Sequence, residues 1–588
     1  MVRRRPAAST RAAVAHPGAA APALPRRVLL PRAGRAGAGP HLRARALRPL
    51  RGGRPGRPGR LPEPGGLVLP APPAERPLRG LRALHADRRA GALRGRSAVT
   101  LILIFLPILA AALVGLLDDP RAEAAKRGAL MIALVTLLAS LGAYLAYPLA
   151  SGGFVGEFKL EWLPLVGSSF HVGLDGLSLP FVTLTPLLTA VSVLASWRKT
   201  EKGFFALMLL LQGALVGVFA ALDLIVFFLF FEAVLVPMYF KIALWGYEQR
   251  RYAAVKFLIY SLVGSVFMLA AMLATAYLAA PALGRVSFDY LDLVSVAGYL
   301  ALLPAAGWLF WGFALAFLIK LPAVPLHTWL PHAHTQAPTA GSIFLAGLLL
   351  KMGGYGLIRF NLALFPGELE RFANLLAVVA LVSIVYGAYV TLAQRDLKRL
   401  IANSSVNHMG YVLLGIASMT AVGLHGAVYQ MVAHGVITGL MFLMVGLLAD
   451  RTHTREIAAM KGVYNAAPKL GAVLWLALLG GLGLPGLAGF LGEFQSLWGG
   501  FLAEVTRNYV WFAVFGIVIL AGAMLWTIQR VLLGKAEAAL DDLNAVELAA
   551  AAPLVFLAVL LGLVPAALTP WIDAGVQPLV TLLQEVLK

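Results

Sequence analysis

The chain has 588 residues, of which 60% are hydrophobic and only 13% charged, with a mean hydropathy of +0.80. Such a composition excludes an ordinary soluble domain and describes an integral membrane protein. It contains no cysteine, which removes disulfides, thiolate-bound iron–sulfur clusters and cysteine nucleophiles together.

The formal net charge of +21 belongs almost wholly to one end. Residues 1–98 hold 22 arginines and three acids, a net +19, with no Phe, Tyr, Trp, Ile, Asn, Gln or Lys. The remaining 490 residues carry 27 basic and 25 acidic groups, a net +2. The tail has nothing with which to build a core and is expected to be disordered. As a polybasic arm for anionic lipid or nucleic acid, or as a targeting peptide, it fits poorly: it lacks an apolar h-region and is neither Ser-rich nor amphipathic. Its codon-biased composition points to GC-rich DNA translated upstream of the true start, which is expected near Val99.

From there on, apolar runs long enough to cross a hydrocarbon layer as helices recur, and strand alternation is absent. They predict an all-α polytopic membrane protein with fourteen spans, near 99–117, 128–148, 177–196, 203–221, 223–244, 254–280, 306–330, 338–362, 373–393, 400–421, 423–448, 467–500, 508–532 and 550–567. Odd-numbered connections hold 19 Lys and Arg and even-numbered ones five, so the odd connections are expected in the cytoplasm and both ends of the 99–588 core outside.

Spans 7 and 12 are interrupted by "KLPAVP" (320–325) and "GLGLPGLAGF" (481–490), in which proline removes a backbone donor. Broken helices survive at membrane depth only when buried in protein or lining a wet cavity. Pro322 and Pro485 lie 163 residues apart with five spans between the two breaks, which predicts two inverted five-helix repeats, spans 4–8 and 9–13.

Ionisable residues inside spans are few: Glu232, Lys320, Lys351, His408, His434 and Glu493. Each charged one costs about 2.5–3.5 kcal/mol near the midplane, so four cost on the order of 10 kcal/mol, against a domain's net stability of about 5–15. Glu232 and Lys320 are read either as a structural ion pair or as a couple in which the distance of the carboxylate sets the lysine's proton affinity. Lys351 lies too deep to snorkel. His408 is suited to proton relay or to an ordinary buried hydrogen bond, with His434 set below it. Glu493 follows the second break as Lys320 precedes the first. The separations Glu232–His408 (176) and Lys320–Glu493 (173) nearly agree, as a duplicated unit would have it.

His327, His332 and His334 could be taken for a zinc site, but no Cys, Asp or Glu in that stretch completes a ligand set, so no metal is expected. Asp223 is expected to cap span 5. No Walker A motif, GxGxxG before a helix or nucleophile elbow is present.

The stretches "FFEAVLVPMY", "KLPAVPLHTWLPHAHTQAPTAGSIFLAGLLLKMGGYGLIRF", "DLKRLIANSSVNHMGYV" and "GLPGLAGFLGEF" resemble the antiporter-like membrane subunits of proton-pumping NADH:quinone oxidoreductase, respiratory complex I. The likeness covers most of 99–588. Glutamate at 493, together with the missing lateral helix, is similar to the M type (the mitochondrial subunit 4 class); the N and L types usually have lysine there. The resemblance implies Glu232 and Lys320 as the coupled pair, Lys351 and His408 as the central relay and Glu493 as the exit residue. It further implies a bacterial inner-membrane location, N-type and L-type antiporter-like subunits as partners, no nucleic acid, and no cofactor in this chain, with NADH, FMN, iron–sulfur clusters and quinone bound by other subunits. His332 and Asn403 depart from the family pattern, where aspartate and tyrosine are usual. The alternative is a subunit of a multisubunit sodium/proton antiporter.

Overall fold

A computed structural model describes residues 97–587 other than 117, 120, 151, 537 and 538. The arginine-rich tail expected over 1–98 lies, but for its last two residues, outside the described residues.

The chain is mostly helical. In order come α1 (Ser97–Leu116), α2 (Glu123–Leu145), a hairpin of β1 (Val155–Leu163) and β2 (Ser168–Leu174), then α3 (Leu179–Ala195), α4 (Lys202–Ala220), α5 (Leu224–Trp245) and α6 (Arg250–Leu283). Then comes α7 (Ala306–Lys320), which ends at the first break, and after the break α8 (Trp329–Gln336), α9 (Thr339–Leu362), α10 (Pro366–Leu392), α11 (Leu397–Ala417) and α12 (Ala421–Thr452). The last part holds α13 (Pro468–Gly481), α14 (Ala488–Leu502), α15 (Glu504–Leu532), α16 (Ala545–Leu563) and α17 (Thr569–Val586). Among the described residues ten helices are long and apolar enough to cross a membrane, and α3, α7 and α13 are shorter apolar helices.

The helices differ in what surrounds them. The apolar windows of α9 and α12 are wholly buried, whereas that of α2 is 22% buried and presents Met131, Leu134 and Leu138 outward. A helix hydrophobic all round and shielded by others forms the centre, and one with an outward apolar face meets lipid. Titratable groups sit accordingly, with Lys351 on α9, His434 on α12 and His408 on the equally enclosed α11.

At the first break the chain leaves α7 after Lys320, and its freed backbone groups find partners inside the protein. Ile319 O accepts from Trp329 Nε1 at 2.9 Å, Val324 N donates to Ser383 Oγ at 3.0 Å and Ala323 N to Leu318 O at 3.0 Å. These bonds satisfy the requirement that irregular backbone at membrane depth be solvated by protein. At the second break Gly483 and Gly486 take φ of 77° and 94°, open to glycine at no steric cost, and α14 begins at Ala488.

Connections meet in two separate groups. Ser168 Oγ donates to Asp223 Oδ1 (2.9 Å), Lys159 pairs with Asp289 (2.6 Å), and isolated bridges join Val172 to Ala221 and Asp223 to Asp289, so the second, fourth and sixth connections share one end. At the other end Lys126 reaches Trp197 O (3.2 Å), Arg455 reaches Thr335 O (2.7 Å) and Asp396 bridges Glu456. Asp223 caps α5, accepting from the backbone N–H of Ile225 and Val226, as the sequence predicts.

The hairpin is a departure from the sequence reading, which saw no strand alternation between the second and third spans. Its register, Phe158 opposite Val172 and Lys159 opposite His171, is held by distant acids rather than by a periodic apolar face. Gly167 closes the turn at φ 81°, and a Cβ there would lie 2.3 Å from Val286 O. His171 donates to Asp289 Oδ2 at 2.7 Å and contacts Glu157 at 2.9 Å. Burial alone would push the imidazole down, but the bonds to Asp289 and Glu157 outweigh it and raise His171 to about 9, while Asp289 is held below the usual carboxylate range against its own burial by His171 and Lys159.

A histidine raised on folding stabilises fully below its unfolded value and loses that contribution as pH climbs through the folded one. Backbone hydrogen exchange in the hairpin should therefore accelerate between about pH 6.5 and 9 beyond the intrinsic pH trend. In His171→Gln that extra acceleration should vanish, and its persistence would place the titration elsewhere.

Candidate functional site

The ionisable residues that the sequence places inside spans fall into two segments. In the first, Glu232 of α5 and Lys320 of α7 both turn toward α6. Lys320 Nζ donates to Ser261 Oγ at 3.1 Å and lies 5.1 and 5.2 Å from the ring centroids of Phe231 and Phe257. Glu232 faces Ser265 and feels the charge of Lys320, while its Oε1 has no hydrogen-bond partner. No contact ion pair joins the two among the described residues. Ser261 and Ser265, one turn apart on α6, stand between them, at a place where Gly264 lets α6 approach Ala316 and Ile319 of α7.

The second segment consists of two hydrogen-bonded pairs joined by a ring contact. Lys351 Nζ donates to His434 Nδ1 at 2.7 Å and to Ala346 O, a carbonyl in the π-helical turn Leu345–Leu349 of α9. Such turns free a carbonyl from the α-helical ladder and occur often at functional positions. The rings of His434 and His408 are 5.3 Å apart, edge to face. His408 Nδ1 donates to Glu493 Oε1 at 2.8 Å, and Gln430 Nε2 donates to the same oxygen at 3.2 Å. Lysine, two imidazoles and a carboxylate thus run from α9 through α12 and α11 to α14, each buried.

Between Lys320 and Lys351 no hydrogen bond connects the segments among the described residues. The helices meet there through glycine: a Cβ on Gly353 would lie 2.4 Å from Phe317 O and 2.5 Å from Leu321 N, and one on Gly356 would strike the Phe317 ring. The separator is apolar and borders the broken end of α7.

Of the sequence-predicted residues, the structure brings His408 and Glu493 into contact, sets Glu232 and Lys320 beside a shared serine pair, and joins Lys351 to the chain through His434, the histidine ranked below His408. Gln430, Ser261 and Ser265 escape a sequence reading because neutral residues in spans carry no cost signal. Lys241 and Lys398, counted with the connections, are buried instead. Lys241 lies 3.5 Å from the Phe204 ring centroid and Lys398 donates to Ala337 O, because their aliphatic stems run inward along packed helices. The histidines of 327–334 go separate ways. His327 meets Tyr386 edge to face, His332 lies 3.4 Å from Lys256 Nζ, and His334 stacks on Phe442 at 4.6 Å. Asn403 donates to Arg399 O at 2.8 Å, an ordinary helix contact.

On the face shared by the odd-numbered connections a cavity of about 1270 Å³ is lined by Arg198, Lys199, Tyr247, Asp396, Asp450 and Arg455 among others, and one of its walls is Phe204, which covers Lys241. Burial pushes the Tyr247 phenol up, reinforced by Asp450.

Residues 221–520 match the family model for the transmembrane part of NADH:quinone oxidoreductase and Mrp antiporters. The chain is 40% identical over 499 residues to NADH-quinone oxidoreductase subunit M of Rhodobacter capsulatus, covering 82% of this chain and 96% of that one. It is 44% identical over 421 residues to the subunit M of Pseudomonas aeruginosa, covering 70% and 82%. Among solved structures, a chain of respiratory complex I from Thermus thermophilus with bound NADH superposes with a TM-score of 0.74 at 35% identity, covering 82% of this chain and 99% of that chain. A chain of the Mrp complex from Dietzia sp. DQ12-45-1b shares the fold, with a TM-score of 0.71 at 21% identity over 84% and 99%.

Glu493→Leu would strand the buried His408 Nδ1 and Gln430 Nε2 donors together. It is expected to lower stability by about 1–3 kcal/mol, read as a drop in the thermal unfolding midpoint of the detergent-solubilised protein. A midpoint equal to that of the unsubstituted chain would mean that the pair does not form.

Proposed function

The chain belongs to the membrane-subunit family shared by NADH:quinone oxidoreductases and Mrp antiporters, and we infer that it works as the M-type membrane-arm subunit of a bacterial NADH:quinone oxidoreductase, moving protons across the membrane while quinone is reduced in other subunits. The sodium/proton antiporter alternative loses ground because relatives near 40% identity are NADH-quinone oxidoreductase subunits, whereas the Mrp likeness, at 21%, extends to the fold alone. Its partners are the other antiporter-like membrane subunits. NADH, FMN, iron–sulfur clusters and quinone are assigned to partner subunits, in keeping with a chain that has no cysteine.

The observation that carries the proton path is the row Lys351–His434–His408–Glu493, two hydrogen-bonded pairs joined by a contact of the two imidazole rings. A proton entering from the cavity face is held by Lys320 while Glu232 lies near. When the coupling signal changes that distance, Lys320 loses its electrostatic support and the proton crosses the Phe317–Leu321 separator to Lys351. From there the imidazoles pass it to Glu493, each accepting at one ring nitrogen and donating at the other. Moving one proton against 100 mV stores about 2.3 kcal/mol, roughly a fiftyfold change in a group's proton affinity. Changes of that size are within reach of one carboxylate moving beside one lysine in a low-dielectric site.

The finer topology we assign is fourteen spans with inverted repeats at spans 4–8 and 9–13. In support stand the ten long helices, the three shorter apolar ones, and α11, whose "NSSVNH" stretch lowers its hydropathy although it is enclosed. The repeat is supported by the two breaks and by the placement of Glu232 and Lys320 beside a shared serine pair in one half and the contact of His408 with Glu493 in the other. The excess of basic residues in the odd-numbered connections supports our assignment of those connections to the cytoplasm and of both ends of 99–588 to the outside.

Glu232→Gln or Lys351→Met in the assembled complex is expected to depress NADH-driven proton pumping severalfold, measured as acidification in reconstituted vesicles. Pumping per NADH equal to that of the unsubstituted complex would remove the residue from the path. Because the chain has no cysteine, Leu165→Cys at the exposed hairpin tip should react with an impermeant maleimide in intact spheroplasts, and Glu248→Cys only after permeabilisation. The reverse pattern would invert the topology.

A further inference from the structure

The relay ends on Glu493, which is 4% exposed, so a proton arriving there still needs a way out. We propose that His425 and Asp573 form that outlet, a histidine–aspartate pair that carries protons from beside Glu493 to the outer surface; this rests on the proton-translocation reading above.

The pair is built from three elements. His425 lies in the first turns of α12, Gln495 on α14 and Asp573 on the C-terminal helix α17. His425 Nδ1 donates to Gln495 Oε1 at 2.7 Å, which leaves Nε2 with a free lone pair, and Nε2 lies 3.6 Å from Asp573 Oδ1. The side chain of His425 is 7% exposed and that of Asp573 is 50% exposed, so within two residues the path passes from interior to open surface. Helix α17 is fixed there by Trp571, whose Nε1 donates to Tyr144 O at 2.7 Å while its ring stacks on Tyr144 at 4.1 Å.

Between Glu493 and His425 the interior is polar although sealed by helices. Gln430 Oε1, Ser496 Oγ and His425 Nε2 are buried atoms with no hydrogen-bond partner among the described residues, His425 Nε2 having only the Asp573 carboxylate at 3.6 Å. Ser496 stands one turn beyond Glu493 on α14, its hydroxyl facing Gly415 of α11 and its backbone N–H packed on Gly426 of α12. Buried polar atoms without protein partners are satisfied by water at little cost, and a file of them is how a proton crosses a packed interior. In the step itself the carboxyl O–H of Glu493 breaks as its proton passes to water at Ser496, and that water's O–H bond breaks in turn as an N–H bond forms at His425 Nε2. The imidazolium then gives that proton to the Asp573 carboxylate, which releases it to bulk water, and both groups return to their starting states.

The test uses the whole complex purified and reconstituted in phosphatidylcholine vesicles, in preparations matched for subunit content. His425→Ala is expected to slow NADH-driven proton release severalfold, Asp573→Asn to slow it less, and Asp573→Glu to restore it. Free imidazole added to the assay should recover pumping in His425→Ala and leave Glu493→Gln unrecovered, a difference that a purely structural histidine would not produce. Wild-type pumping in His425→Ala, or a defect indifferent to imidazole, overturns the outlet. If Glu493→Gln itself pumps normally, the parent reading fails; if Glu493→Gln stops pumping while His425→Ala does not, the outlet alone fails.

Discussion

Lipid solvates neither charge nor free backbone, and this constraint orders the molecule from the outside in. Every buried cation or carboxylate must find its solvation in protein, so the charged residues collect on the helices that other helices enclose. Lys351 and His434 sit on the two whose apolar windows are wholly buried, while the loosely covered α2 shows leucine to its surroundings. The same constraint explains the breaks. Chain freed from helical bonding at Pro322 is tolerated because Trp329 and Ser383 supply the donor and acceptor that lipid cannot.

The proposed proton path follows from how incompletely that solvation is supplied. Lys320 has a serine and two aromatic faces but no contact with Glu232, so its charge depends on a carboxylate held at a distance. A tight ion pair would be stable and inert. Lys351, by contrast, is bound to an imidazole and a helix carbonyl, groups that can take part in proton transfer without a compensating charge. In the proposed relay the apolar separator between the two lysines would let one load while the other empties. Glycine makes that separator thin, since any side chain at position 353 would force α7 and α9 apart.

Much of this was legible in the linear chain because a charge in apolar sequence is costly wherever it occurs. Glu232, Lys320, Lys351, His408 and Glu493 stand out on that ground alone, and the breaks announce themselves through proline and glycine. Neutral polar partners carry no such mark. Ser261, Ser265 and Gln430 read as tolerated span residues, and His434 looked weaker than His408 until its contact with Lys351 placed it in the middle of the chain. Lys241 and Lys398 were misplaced in the connections because the end of a helix in sequence does not reveal whether a stem runs inward or outward. The β1–β2 hairpin was missed because its register depends on Asp223 and Asp289, 50 to 130 residues further along.

By itself, then, the sequence determined that the chain is a mostly helical membrane protein and which residues are too expensive to be incidental, since hydropathy and proline act locally. Tertiary structure alone decided which of those residues touch. Helix periodicity places a side chain on a face, but whether that face meets a lysine, a serine or lipid depends on packing between helices far apart in the chain. Here the packing hydrogen-bonded His408 to Glu493, kept Glu232 short of Lys320, and brought His425 against Asp573.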